Sequence, residues 1–131
     1  MITNEDNAIN SDGTHYDIAK VIHGIYKNTY KYNKNWYKYD KDKDTWIKIN
    51  KDFKLRRELS EDIYKKFMDR SSYFNNLMYN ENDEGRKEIY NKKASTALKI
   101  CNKLKQTEFK GSIIKECKCL FIDEYLKIKI D

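Results

Sequence analysis

Between residues 30 and 57 the chain interleaves aromatic rings with cationic side chains, a combination that suits contact with single-stranded nucleic acid. Bases stack on aromatic faces, while lysine and arginine pair with phosphates. We predict DNA contact by the cations of this segment: Lys31, Lys34, Lys38, Lys48, Lys54, Arg56 and Arg57. The alternative is that the aromatic side chains form the core contact of a hairpin and the lysines its solvated face. Asp40, Asp42 and Asp44 oppose the basic charge at the predicted hairpin tip.

The glycines and acidic residues do not form a catalytic pattern. The four glycines are isolated, so neither standard nucleotide-binding loop can be written, because such loops need clustered glycines to wrap phosphates. Acidic pairs such as Asp123-Glu124 are adjacent in sequence, and neighbours on a helix do not face each other. The sequence therefore predicts no catalytic residue and no cofactor in this chain.

The three cysteines are better explained by packing than by metal binding. Cys117-Lys118-Cys119 is a CxC pair with Cys101 upstream, whereas structural zinc sites normally use paired CxxC or HxxxH clusters. We therefore interpret Cys101 and Cys117 as small buried residues on helix faces, and predict no metal site. An odd number of cysteines indicates reduced thiols and an intracellular protein.

The length and charge favour one domain with a polyanionic partner. A chain of 131 residues buries a core without disulfides or metals. The net charge of +6 favours nucleic acid as the partner. No stretch is long and apolar enough for a transmembrane helix, so we expect no membrane partner. The first residues resemble neither a signal peptide nor a transit peptide.

The pattern of apolar residues predicts an α+β fold that is mainly α. Residues 1–13 are polar and without periodicity, so we expect a flexible N-terminal segment there, followed by a single domain over 14–131. Thr14 and Asp17 have the spacing of a capping box at the start of the first helix. The alternation after Thr29 predicts a small antiparallel β-hairpin or meander up to Ile49.

Helical periodicity returns after the predicted meander and continues for most of the remaining chain. It runs from about Phe53, with a second segment possible near Ser60, and again from Gly85 to Leu104. Residues 107–112 are expected to be a break before a last, shorter helix. The alternation at 126–130 indicates the start of a strand, as if the domain continued into something longer. The expected architecture is about four helices around one core with the meander after the first helix, winged-helix-like.

Several short stretches, in this order and spacing, resemble one known arrangement. They are HYDIAKVI from His15, WYKY from Trp36, Trp46-Ile47, LRRELS from Leu55, IIKEC from Ile113 and LFID from Leu120. The chain resembles the accessory domain that precedes the superfamily-three helicase motor in the poxvirus-type primase-helicases of nucleocytoplasmic large DNA viruses. The resemblance covers about residues 14–131.

The resemblance implies a non-catalytic collar or connector in a viral DNA-replication protein. The parent would be an ATP-dependent DNA helicase, with a primase before this segment and the motor, which uses ATP and Mg, after it. This domain would support assembly of a homo-oligomeric ring, usually a hexamer, and position single-stranded or forked DNA. The expected location is the host cytoplasm or a viral replication site. A free-standing winged-helix-like DNA-binding protein is the alternative, and a purely structural spacer is a third interpretation.

Overall fold

The computed structural model describes residues 2–49 and 52–126. Two helices, α1 (Asn4–Asn10) and α2 (His15–Tyr26), precede a three-stranded sheet of β1 (Tyr30–Asn33), β2 (Asn35–Asp40) and β3 (Thr45–Ile49). The rest is helical: α3 (Phe53–Glu58), a π-helical turn (Leu59–Ile63), α4 (Tyr64–Tyr79), α5 (Glu84–Lys103) and α6 (Thr107–Phe121). The predicted α+β, mainly helical class with a small antiparallel meander is confirmed. No helix in the described part of the chain is both long and apolar enough to cross a membrane.

Residues 4–10 form a helix where no regular element was expected. Helix α1 is capped by Thr3, whose hydroxyl accepts from the Asp6 N–H, and it buries Ala8 and Ile9. The Gly13 N–H donates to the Ala8 carbonyl at 2.7 Å, which closes the helix with a left-handed turn at φ +77°. A Cβ at Gly13 would lie 2.9 Å from the Ile100 side chain, so glycine is needed both for conformation and for space. Two buried residues in a polar stretch were too weak a signal to predict this helix.

Helix α2 begins where its predicted cap indicated. The Thr14 hydroxyl oxygen accepts from the Asp17 N–H at 3.3 Å. The Asp17 carboxylate accepts the Thr14 hydroxyl proton at 2.8 Å, rather than the backbone N–H used in a standard capping box. Ile18, Val21 and Ile22 are buried on the predicted apolar face.

The helical region after the sheet contains one feature that the sequence only hinted at and one that it predicted wrongly. A π-helical turn separates α3 from α4 at Leu59–Ile63, close to the possible second start at Ser60. The Ser60 hydroxyl donates to the Arg56 carbonyl and accepts from the Lys110 ammonium. The predicted break at 107–112 is wrong, because α6 begins at Thr107. Gly111 lies within this helix, where the lack of a side chain leaves room for the Arg56 guanidinium.

One apolar core joins the helices to the inner face of the sheet. Helices α4 and α5 form the most extensive pair, and α2 packs on α6 and α1. The predicted burial of Cys101 and Cys117 is confirmed, and both thiols are free. Burial raises the pKa of Cys101 to about 11 and that of Cys117 to about 12, so both remain protonated at neutral pH.

The end of the described chain rejoins the sheet. Ile122 forms a parallel bridge with Tyr32, and the Asp123 N–H donates to the Tyr32 carbonyl at 2.9 Å. The segment after α6 therefore lies along the free edge of β1. The strand predicted at 126–130 falls, apart from Leu126, outside the described residues.

Candidate nucleic-acid interface

The register of the sheet divides the predicted DNA-contacting residues between its two faces. Tyr30 pairs with Lys38 and Tyr32 with Trp36, which places these four side chains on the same face. Tyr30 and Trp36 belong to the apolar core, so this is the inner face. Lys31 pairs with Tyr37, and Tyr37 with Lys48, on the opposite face. The predicted cations therefore do not form a single surface.

We call this opposite face the outer sheet face and define it by Lys31, Tyr37, Tyr39, Trp46 and Lys48. Tyr39 and Trp46 are cross-strand partners with ring centroids 5.3 Å apart. The Lys31 ammonium lies 5.4 Å from the centre of the Trp46 ring and 3.1 Å from the Asp123 carboxylate. Lys48 is exposed. The face thus presents two partly exposed rings, Tyr39 and Trp46, in the row next to the two lysines. Tyr37, which lies between the lysines, is only 8% exposed, and one of the lysines has a carboxylate partner.

The other predicted cations lie around α3. Lys34 and Arg56 line a cleft of about 420 Å³ between the β1–β2 turn, the start of α3 and α6, which we call the turn cleft. Lys38 and Lys54 line a second cleft of about 350 Å³ beside β3. Burial, together with the nearby Lys54 ammonium, lowers the pKa of Lys38. Arg57 is exposed on α3 and lines neither cleft.

Within the turn cleft, α6 supplies two cations that the sequence analysis missed. Lys115 and Lys118 line it together with Lys34 and Arg56, and Asp52 is the single carboxylate among the lining residues. Lys115 and Lys118 are three residues apart, a spacing that puts them on one helix face. The spacing of two lysines on one helix does not show which part of the sheet that helix packs against. No local pattern could therefore have predicted that they lie near Lys34.

Aromatic rings form one wall of the turn cleft. The Tyr32 and Trp36 rings are 5.2 Å apart, and the Trp36 ring packs edge-on against Phe121 at 5.5 Å. The Lys118 ammonium lies 5.4 Å from the centre of the Tyr32 ring. Trp36 is only 6% exposed, and its buried indole N–H has no acceptor among the described residues. Buried donors of this kind are normally paired.

Arg56 is held in place by its own contacts. Its Nε donates to the Asp52 carboxylate at 3.2 Å and its Nη1 to the Thr107 carbonyl at 3.1 Å. The guanidinium has five N–H donors, so these bonds orient it without using all of them. Lys34 sits in the left-handed region at φ +62°, which is unusual for a residue other than glycine or asparagine. The Arg56 guanidinium is therefore fixed more firmly than an ordinary surface side chain, whereas Lys34 is constrained at its backbone.

On the opposite side of α3, tyrosine hydroxyl groups form hydrogen bonds with carboxylates. The Tyr30 hydroxyl donates to Glu58 Oε1 at 2.9 Å, and the Tyr26 hydroxyl donates to Asp62 Oδ2 at 3.0 Å. Burial is the main reason that the pKa values of Tyr26, Tyr30 and Glu58 are all raised. We call Tyr26, Tyr30, Glu58 and Asp62 the Glu58 network. Glu58 Oε2 is buried without a donor among the described residues.

The remaining chemistry-bearing residues are used in packing. His15 packs edge-on against Phe109 at 5.1 Å, and His23 against Phe121 at 4.9 Å. Burial, followed by the charges of Lys27 and Lys31, lowers the pKa of His23. In the part of the chain that the structure describes, no three His, Cys, Asp or Glu side chains are grouped to hold a metal ion.

No protein-family model matches this chain, and a search of curated proteins found no match.

Proposed function

We propose that this chain is a non-catalytic domain that contacts single-stranded nucleic acid beside a replicative helicase motor. The observation that carries the proposal is the register of the outer sheet face. It sets Lys31, Tyr37 and Lys48 in one cross-strand row and Tyr39 with Trp46 in the next. Rings that stack bases and cations that pair with phosphates are the two elements of a single-strand surface.

The charge distribution supports a polyanionic ligand. Lys34, Lys48, Lys54 and Arg57 are exposed, and no ion pair with a described acidic residue engages them. Cations that are not paired within the protein can displace counterions from a phosphate backbone. Lys31, by contrast, is tied to Asp123, which reduces its share of the predicted affinity.

The ordered resemblance in the sequence supports the more specific part of the proposal. The parent would be a viral primase-helicase whose ring, a hexamer, unwinds DNA with ATP and Mg, and this domain would support ring assembly and guide the strand. This part is tested by reading the gene beyond the codon for Asp131. An open frame that reaches a GxxxxGK[ST] loop supports it, and an immediate stop codon contradicts it.

The nucleic-acid contact is tested by the anisotropy of a labelled oligothymidine titrated with the full chain at two salt concentrations. We expect binding that weakens with salt, and about tenfold weaker binding for Trp46→Ala, given the usual value of one stacked base. Lys65→Gln with Lys66→Gln is the control, since both lysines are exposed on α4, away from the sheet. The proposal fails if the strand does not bind at low salt, or if the control variant weakens binding as much as Trp46→Ala.

The free-standing winged-helix-like DNA-binding protein is kept as a second candidate because of the β2–β3 hairpin. Its tip carries the exposed residues Lys41 and Lys43, as a phosphate-touching wing would. Asp40 accepts from the Asp42 and Lys43 N–H groups, which gives the tip a defined turn. Tighter binding to duplex than to single-stranded DNA of the same sequence favours this candidate.

A further inference from the structure

The turn cleft gathers more positive charge than the described acidic residues around it neutralise. Four cations and one carboxylate line it, and the carboxylate, Asp52, is already bonded to Arg56. The ammonium groups of Lys34 and Lys115 have no carboxylate partner among the described residues. Like charges gathered around one concavity repel each other, and an anion placed between them relieves that repulsion.

The aromatic wall of the cleft offers a contact surface beside the cations. Trp36 is one of the lining residues, and its indole N–H is itself buried. A ligand in the cleft would therefore meet the edge of the ring, while the surrounding cations would supply the hydrogen-bond donors.

The size and the wall of the cleft narrow the class of ligand. A volume of about 420 Å³ is within the range of about 300–1,000 Å³ found for small-molecule sites. Tyr32 and Trp36 offer aromatic surface beside the cations, and such surface suits a flat base or a sugar.

We propose that the turn cleft binds one nucleotide unit through its phosphate. Lys34, Arg56, Lys115 and Lys118 surround the phosphate and donate to its oxygens. The inference rests on the proposed function in one respect, namely that the domain meets nucleic acid. It differs from it in location, because the cleft lies on the inner side of the β1–β2 turn, whereas the bases are expected to stack on the outer sheet face.

The indole N–H signal of Trp36 in ¹⁵N-labelled full chain reports directly on the cleft. We expect thymidine 5′-monophosphate to shift this signal saturably, and thymidine without its phosphate to leave it in place. Lys34→Ala with Lys115→Ala is expected to weaken nucleotide binding at least tenfold, as the loss of charge-assisted hydrogen bonds does. The matched control, Lys65→Ala with Lys66→Ala, removes the same charge from α4 and is expected to change binding less than about twofold.

Three results would overturn the proposal. The first is an indole signal that does not move with the nucleotide, and the second is equal weakening by the two double variants, which would indicate a general charge effect. The third is equal affinity for inorganic phosphate and the nucleotide, which removes the nucleotide from the assignment.

Oligothymidine with and without a 5′-phosphate separates the possible sources of the phosphate. Tighter binding of the phosphorylated strand assigns the cleft to strand ends, and equal binding assigns it to internal phosphates or free nucleotides. If oligothymidine binds but leaves the Trp36 signal unmoved, the cleft proposal fails while the proposed function stands. If neither oligothymidine nor the mononucleotide binds, both fail.

Discussion

Arg56 and Glu58 lie two positions apart on α3 and enter different surroundings. Arg56 faces the turn cleft, where cations outnumber carboxylates among the lining residues. Glu58 faces the network of Tyr26, Tyr30 and Asp62, where hydroxyl groups donate to carboxylates. Polar residues two positions apart on one short helix thus differ in their partners. On the Glu58 side, hydrogen bonds join the sheet to α3, and on the Arg56 side the proposed ligand would meet an excess of cations.

The substitution with the largest expected effect breaks the Glu58 network and leaves the residues of the turn cleft unchanged. Tyr30→Phe removes the donor to Glu58 Oε1, leaving a buried carboxylate whose other oxygen already lacks a described donor. We expect the free energy of unfolding to fall by about 1–3 kcal/mol, the usual penalty for such a group. Urea denaturation measures this change, and nucleotide affinity should be unaltered. A variant as stable as the wild type would show that the network does not hold the sheet to α3.

A second substitution tests whether the left-handed conformation of Lys34 in the turn cleft lowers the stability of the folded protein. Lys34→Gly places glycine at φ +62°, a conformation that costs other residues about 1–2 kcal/mol, although glycine loses more entropy on folding. We expect the variant to be more stable by about 0.5–1 kcal/mol and to bind nucleotide more weakly. Thermal denaturation and titration of the same sample measure both quantities. Loss of stability would mean that the lysine side chain itself supports the turn.

The pH dependence of stability distinguishes Glu58 from an ordinary surface acid. Burial raises the pKa of its carboxyl in the folded protein above the ordinary 4.5, despite the Tyr30 hydrogen bond and the Lys38 charge. The folded state then holds its proton more tightly than the unfolded state, so this group's contribution falls as the pH rises past 4.5. Glu58→Gln should therefore gain stability relative to the wild type over that range. Parallel pH profiles of the two proteins would contradict this expectation.

The smallest effect concerns the ion pair beside the outer sheet face. The hydrogen bond from Lys31, with the Tyr125 N–H, lowers the pKa of Asp123 below its ordinary 3.8. The pair's contribution is then present above pH 3.8 and is lost as the pH falls through the lowered value. Because both side chains are partly exposed, Asp123→Asn should cost no more than about 1 kcal/mol at neutral pH. If Asp123→Asn lowered the stability by the same amount at every pH, the carboxylate charge would not be the source of the stabilisation.

The meander and most helices could be predicted because their signals are local. Thr14 caps α2, and alternating residues between Tyr30 and Ile49 give the strands. Helix α1 and the start of α6 were missed for a physical reason. Tertiary contacts stabilise both, through Ala8 and Ile9 in α1 and through the bond from Arg56 to the Thr107 carbonyl in α6.

The fold class, the burial of Cys101 and Cys117, and the cation-rich, aromatic character of residues 30–57 could all be predicted from composition and spacing. Composition and periodicity carry this information because each depends on residues close together in the chain. Which cations lie next to each other depends on how distant elements pack. The tertiary structure placed Lys31 and Lys48 on one face of the sheet, and it brought Lys34 and Arg56 to Lys115 and Lys118, some sixty or more residues further along. Charges so distant in sequence meet only through the packing of α6 against the core, which no local pattern encodes.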